Sequence, residues 1–338
     1  MNISVFAQKM TIQLGDITLS GRVLLAPMSG VTDFAFRKAV AKASRVSVVS
    51  EMVASEELVK ARADVVRRAE GFGLSPFILQ LAGCDPHWMR EGARLACDAG
   101  ADVVDINMGC PSRQVTGGLS GSALMRDASL AEAIIAATLE GSSKPVTLKM
   151  RLGWDDNILN APLIAERAEA LGVQMITVHG RTRCQFYKGA ADWHSVRNTV
   201  EVVDIPVVVN GDIIDGETAK AALEASNAAG VMVGRAVIGR PWLPGQIETF
   251  LNSGVWPEAP NAAQQWRIFA DWYGDCLALY GEALGVRVAR KHIAGFIESL
   301  FGVKGGKEHR GDICRMENAA HVLQAMQNLY EISDSEAA

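Results

Sequence analysis

The chain carries six cysteines, at 84, 97, 110, 184, 276 and 314, and none stands in a C-x-x-C pair. That absence removes the usual spacing of structural zinc and of iron–sulfur clusters. Dispersed thiols in 338 residues fit a reduced cytoplasmic protein better than a disulfide scaffold. The opening MNISVFAQKM lacks the basic start and long apolar core of a signal peptide. No run approaches the ~18 consecutive apolar residues of a membrane span. Positive charge is not in excess either. A formal net charge of −5 argues against indiscriminate polyanion binding, but it leaves room for a local basic patch. The expectation is a cytoplasmic monomer with no membrane partner and no metal. No low-complexity segment interrupts it.

What is present is a core. Apolar residues make up 49% of the chain and charged residues 21%, the balance of a globular protein. Eight short runs rich in Val, Ile and Leu recur along it: 22–28, 46–52, 76–83, 102–109, 145–151, 174–181, 206–212 and 230–235. They do not alternate with period two, which is the pattern of parallel strands buried on both faces. Ala-, Glu- and Arg-rich helical segments separate them, and two of these, DPHWMREGARLACDAG and NAPLIAERAEALG, end in the helix-stopping Gly. Eight strand–helix units predict a (β/α)8 TIM barrel, which typically takes about 250 residues. A doubly wound fold would place a phosphate loop after the first strand, whereas APMSGVTD contains no G-x-G-x-x-G. The earlier MTIQLGDITLSG reads as a hairpin closing the barrel bottom. Beyond RPWLPGQIETFLNSGVWPEAPN the strands stop. Helices are expected at about 261–281, 284–302 and 313–332, with VKGGKEHRGD as a flexible basic loop. The predicted domains are therefore a barrel over 1–247 and an all-helical domain over 248–338.

Each run ends in a residue able to touch a ligand: Pro27-Met28, Glu51, Gln80, Asn107, Lys149 and Arg151, His179 and Arg181, Asn210 and Asp212, Gly234-Arg235. One such residue is commonly a turn former. Eight, at strand ends that converge on a barrel mouth, are harder to explain by capping. The loops after the last two strands, NGD and GRAVIGRPW, combine glycine backbone with Arg235, a combination that suits a phosphate. Gln80 offers a donor and an acceptor to a ring edge. Lys149 places positive charge where a ring becomes anionic on reduction. Flavin mononucleotide, FMN, meets these demands. Cys110 stands between Gly109 and Pro111, either as a small packed residue at a tight turn or as a reagent held toward a ligand.

The segments APMSGVTD, LQLAG, DINMGCP, GSALMRD, TLKMRLGW, TVHGRTRCQFYKGAADW, VNGDI and MVGRAVIGRPW resemble those of the tRNA-dihydrouridine synthases, the bacterial B type above all. The similarity spans nearly the whole chain, including VARKHIAGFIESLFG. It implies an FMN-dependent barrel enzyme with a helical C-terminal domain. Such enzymes reduce the 5,6 double bond of particular uridines in tRNA with electrons from NADPH. By resemblance, Pro27, Met28 and Ser29 lie along the flavin, and Gln80 and Lys149 contact its ring. Asn210, Gly211, Asp212, Gly234 and Arg235 match the ribityl-phosphate site. His179 matches a histidine near the flavin, Asn107 an asparagine near flavin and base, and Cys110 the proton donor. The loop PSRQVTGGLS departs from the B-type pattern, with Arg113 its only basic residue and with Gly117 and Gly118 expected to make it mobile.

The chemistry is consistent with those assignments. The C4 carbonyl of uracil makes C5–C6 electron-poor, so reduced flavin can deliver hydride from N5 to C6. A thiol on the opposite face can then protonate C5. The target uridine must leave its stack to reach the site. Arg181 and Arg183 are candidates for substrate phosphates or the base edge, and Tyr187 for a stacking surface. From Arg287 to Arg315 seven Lys or Arg oppose three acids. Arg287, Arg290, Lys291 and Arg315 therefore form a candidate contact to the tRNA backbone. Two rivals remain open on sequence: a small-molecule FMN oxidoreductase acting on a free pyrimidine or enone, and a non-enzymatic tRNA-binding protein.

Overall fold

The structure, a computed structural model, describes residues 11–112, 115 and 119–337. The opening MNISVFAQKM and the loop residues Arg113, Gly117 and Gly118 lie outside the described residues. Strands β1 (Gln13–Leu14) and β2 (Ile17–Thr18) form an antiparallel hairpin. The barrel strands are β3 (Val23–Leu25), β4 (Ser47–Val49), β6 (Phe77–Ala82), β7 (Val103–Met108), β8 (Val146–Arg151), β9 (Met175–His179), β10 (Val207–Asn210) and β11 (Gly230–Val233). A two-residue β5 (Val53–Ala54) adds to β6. The order β4-β3-β11-β10-β9-β8-β7-β6, closed by a β4–β6 pairing, makes a ring of eight parallel strands, as expected.

Every residue of these strands is buried except His179, which is half-buried, because helices cover the outside and side chains fill the inside. Inside, Ile12, Leu14 and Leu19 of the hairpin segment join Leu24, Ile78, Val103, Met175 and Val208 in a separate apolar cluster. Val103 and Met175 open their strands, so the hairpin plugs the N-terminal end of the barrel. Burying a leucine such as Leu14 contributes about 2 kcal/mol. The polar mouth is left at the other end. Helix starts are capped where the sequence allows: Asp33 accepts from the Phe36 N–H at the start of α1 (Phe34–Ser44). Helix stops follow the same logic, with Gly100 and Gly172 both left-handed just past their helices.

After the short α2 (Ser55–Val59) and α3 (Ala63–Arg68), the barrel helices are α4 (Pro86–Asp98), α5 (Ala128–Gly141), α6 (Ala161–Leu171), α7 (Trp193–Val200), α8 (Gly216–Ser226) and α9 (Leu243–Ser253). The limit expected after residue 247 falls inside α9, which packs on β3 and α8. Helices α10 (Ala262–Tyr280), α11 (Glu282–Ile313) and α12 (Ala319–Ala337) follow. VKGGKEHRGD is not a loop. The backbone breaks at Gly302 (φ 70°, ψ 171°) and then resumes as helix through Ile313. Arg310 reaches back to Glu298 at 2.6 Å, and a Cβ on Gly306 would stand 3.4 Å from the Glu298 Cα. That glycine serves close packing rather than mobility.

The helical part is pinned to the barrel beside the mouth. The His292 ring stacks on Phe36, centroids 3.9 Å apart, and its Nε2 lies 2.8 Å from the Val31 carbonyl oxygen. A Cβ on Gly239, itself at φ +73°, would lie 2.0 Å from the Gly295 carbonyl carbon, so the two backbones touch. Lys38–Asp275 and Lys42–Asp271 bridge α1 to α10 at the surface.

Candidate active site

Strand register lines up the polar ends. Asn107 pairs in register with Lys149, Arg151 with His179, and His179 with Asn210. Above them opens a cavity of about 1050 Å³, large enough for a nucleotide-sized ligand. Pro27, Met28, Ser29, Gln80, Asn107, Cys110, Lys149, His179 and Asn210 all line it. Gly211, Asp212, Gly234 and Arg235 line it too, as do Tyr187 and Lys291.

The thiol loop is held from several directions. The Asn107 Oδ1 accepts the N–H groups of Gly109 (3.2 Å) and Cys110 (3.0 Å). The Ser122 hydroxyl and N–H both donate to the Cys110 carbonyl, at 2.8 and 3.0 Å. Gly121 must be glycine there: it has φ +62°, and a Cβ would come 2.9 Å from the Cys110 carbonyl oxygen. Arg151 donates to the Gly109 carbonyl at 2.8 Å and to the Thr182 and Phe186 carbonyls at 2.9 Å. One buried guanidinium thus ties the thiol loop to the loop after β9.

Charge in the mouth is predominantly positive. Burial, then repulsion from Arg151, lowers the Lys149 pKa to about 8 against the pull of Asp105. Burial also lowers Arg151 to about 10. His179 is pushed well below its ordinary value by burial and by Arg151, Lys149, Arg181 and Arg235, so it is neutral at pH 7. Its Nδ1 is buried with no hydrogen-bond partner among the described residues. Lys149 donates to the Asn210 Oδ1 at 3.1 Å, and the Asn210 amide donates to the Met232 carbonyl at 2.7 Å.

Some expected residues lie elsewhere. Arg181 does not face the cavity: it is 2% exposed and donates to the Lys188 and Gly189 carbonyls and to Asp212. It holds its own loop and neutralises a carboxylate that would repel a phosphate. Burial raises the Asp212 pKa, but the Arg181 and Ala191 hydrogen bonds and the Arg235 charge outweigh it, so the net shift is downward. Arg183 stacks over Trp154 and Phe186, at 4.6 and 4.7 Å. Tyr187 is exposed, within cation–π reach of Arg151 (5.6 Å) and Arg235 (5.0 Å). Arg287 and Arg315 are exposed on α11 and just past it, while half-buried Arg290 turns to the Met316 carbonyl at 3.5 Å. Lys291 points at the Gly30 carbonyl, 3.4 Å away, beside the mouth.

The candidate set omitted Asp105 and Ser122 and took Arg151 only as a strand-end residue able to touch a ligand, not as a tie between loops. Only Asp105 left a clear trace, as an acid in the middle of the apolar run DVVDINMG. Among the described residues no group of His, Cys, Asp or Glu could hold a metal ion. Nor is any described helix long and apolar enough to cross a membrane.

Comparison with known proteins agrees with this geometry. The family model dihydrouridine synthase matches residues 24–334. A probable tRNA-dihydrouridine synthase of Rickettsia conorii is 46% identical over 321 residues, 94% of this chain and 96% of the relative. The tRNA-dihydrouridine synthase B of Pseudomonas putida is 39% identical over 308 residues, 91% of this chain and 90% of the relative. A solved variant of NCR from Zymomonas mobilis shares the fold alone, with TM-score 0.50, 18% identity, 76% of this chain and 94% of that one. A family match across the barrel and the helices, with relatives this similar over nearly their full length, means that the chain belongs to the dihydrouridine synthase family.

Proposed function

We propose that the protein reduces uridines of tRNA to dihydrouridine, using FMN in the barrel mouth and NADPH as electron donor. The observation that carries this reading is the placement of Cys110 on the same cavity as Lys149, His179 and Arg235. A proton donor then faces a cationic, glycine-edged ligand site. The cavity suits FMN on its own terms. The orphaned His179 Nδ1 asks for a partner, and Gly234 leaves open space where a side chain would begin, its nearest neighbour being the Met28 sulfur at 3.8 Å. Lys149, Gln80 and Asn107 would face the ring, with Pro27, Met28 and Ser29 along it. Asn210, Gly211, Gly234 and Arg235 would take the ribityl phosphate. When bound, FMN supplies hydride chemistry to the uracil ring.

The chain's own residues do the rest. Asn107 and Ser122 hold Cys110 by its backbone and leave the thiol free to give its proton to C5. Tyr187 offers a stacking face to an extruded base. The helical part from residue 248 onward carries Arg287, Lys291 and Arg315 toward the tRNA backbone. We place the enzyme in the cytoplasm, as a monomer without a metal.

The test is direct. Protein loaded with FMN, given NADPH and tRNA lacking dihydrouridine, should add the mass of two hydrogens at discrete uridines. A protein that cannot be reconstituted with FMN, or one that leaves tRNA mass unchanged, would end this reading. Reduction of a free pyrimidine with no effect on tRNA would favour the small-molecule rival.

A further inference from the structure

A polar chain runs through the barrel interior beneath the thiol. The Cys110 N–H donates to the Asn107 Oδ1 at 3.0 Å. The Asn107 amide nitrogen donates to the Gln80 Oε1 at 2.7 Å. The Gln80 amide nitrogen donates to the Asp105 Oδ2 at 2.7 Å, and the Thr147 hydroxyl to its Oδ1 at 2.6 Å. All of these side chains are buried, Gln80 completely and Asp105 to 3% exposure.

The two ends fix the sense of the chain. A backbone N–H can only donate, and both Asp105 oxygens accept, from Gln80 and Thr147; burial raises the Asp105 pKa, and these two hydrogen bonds and Lys149 act against that rise. Each of the two amides between them must therefore turn its oxygen toward Cys110 and its nitrogen toward Asp105. With the carboxylate gone, the buried Gln80 amide nitrogen would lose its acceptor, and Asn107 alone would hold Gln80 in that sense. A flipped Gln80 would turn a donor on Asn107, and a flipped Asn107 would set its amide nitrogen against two N–H donors. A buried donor left unpaired is unfavourable, so the thiol loop would shift instead.

We infer that Asp105 is a positioning residue, which sets the Gln80 and Asn107 amides and through them seats Cys110 for proton transfer. The role deepens the proposed function and rests on it for the proton step. Seating the loop does not need the cofactor. Asp105 also lies near Lys149 and partly offsets its charge, which the experiment must separate from seating.

Two variants separate these effects. D105N keeps an oxygen for Gln80 and can turn its amide nitrogen to the Thr147 hydroxyl, but it has no charge. D105L removes both. Alkylation of Cys110 by iodoacetamide in the FMN-free protein is followed by peptide mass, with exposed Cys184 as internal control. The kcat and KM for tRNA reduction are measured on the loaded enzyme. D105L should change the Cys110 alkylation rate severalfold with Cys184 unchanged, and should lower kcat about tenfold or more at little cost in KM. D105N should stay close to wild type in both. Wild-type alkylation and kcat in D105L would overturn the inference. So would equal kcat losses in the two variants with Cys110 alkylation unchanged, since charge alone would then explain them. If D105L does not fold, Gln80→Leu cuts the same chain one link higher and should give the same alkylation change; an unchanged rate there overturns the inference equally. Failure of wild type to reduce tRNA would remove the proposed function, while the alkylation arm would still decide the seating role.

Discussion

Cys110 and Lys149 face one cavity, but their substitution should have different signatures. Cys110→Ala removes the proposed proton donor and leaves Lys149, His179 and Arg235 in place. It should bind FMN and oxidise NADPH normally while tRNA reduction falls ~10²–10⁴-fold, the usual worth of a general acid. Anaerobic flavin spectra and dihydrouridine mass mapping on one preparation would check both halves. Lys149 is instead legible in stability. Its pKa is lowered from 10.5 to about 8, chiefly by burial. Below pH 8 the folded and unfolded chains both hold that proton, and the charge is a constant burden. Between pH 8 and 10.5 the unfolded chain holds more protons, so the contribution of this residue to stability rises with pH. The burden amounts to about 3 kcal/mol at 1.36 kcal/mol per pKa unit. Lys149→Met should thus stabilise the FMN-free protein at pH 7, with an advantage that shrinks toward pH 10. Urea melts at several pH values would measure it, and an advantage constant with pH would contradict the assignment.

Elements tell which parts of the molecule sequence can announce. The eight strands were readable because burial on both faces leaves unbroken runs of Val, Ile and Leu, and the hairpin because Gly15-Asp16 sits between short apolar stretches. The strand ends were readable because barrel geometry makes them converge. The helix after Gly302 was not, since what orders it is distant: Arg310 finds Glu298, and Gly306 fits against the preceding segment. Arg181 was misjudged for the same reason. A charge on a loop looks free until Asp212, from the loop after β10, is found beside it. Asp105 breaks an apolar run, but its partners Gln80 and Thr147 lie on the two neighbouring strands. The meeting of the barrel with α11 was equally silent, because two glycines touching across elements have no local pattern. That contact gives a prediction. Gly239→Ala would thrust a Cβ to 2.0 Å from the Gly295 carbonyl carbon at a residue already at φ +73°. It should destabilise by about 1–3 kcal/mol and weaken tRNA binding more than NADPH oxidation. Thermal melts beside tRNA titrations would show the split. His292 adds a pH dependence to the same interface. Burial, and less so Lys291, lowers its pKa to about 4 against the Val31 hydrogen bond, so the ring stays neutral in the fold. Below pH 6.5 the unfolded chain takes up a proton that the folded one refuses until about 4, so stability should fall across that window. His292→Phe should flatten the fall.

For the whole molecule, a net charge of −5 must be reconciled with a polyanionic substrate. The resolution is local, since four net positive charges are concentrated between Arg287 and Arg315 (seven basic residues less three acidic). Not all of them are available. Arg310 is paired with Glu298, and Arg290 is half-buried against Met316. Arg315 pairs with Asp312, but both side chains are nearly four-fifths exposed, and such a pair is worth at most about 1 kcal/mol. A phosphate can replace that partner at little cost. Arg287 is exposed, and Lys291 lines the cavity mouth, where under the proposed function the backbone flanking an extruded uridine would pass. Arg287→Ala, Lys291→Ala and Arg315→Ala should therefore each lower the log–log salt slope of tRNA binding by roughly 0.7–0.9, the yield of one released phosphate counterion. Arg290→Ala should change the slope less and lower the melting temperature more, because it removes a tie between α11 and the segment before α12. NADPH oxidation with an artificial acceptor should survive Arg287→Ala and Arg315→Ala, which leave the barrel mouth untouched. Dissociation constants for tRNA at several salt concentrations decide the matter: slopes identical to wild type in the three exposed variants would remove RNA recognition from this face.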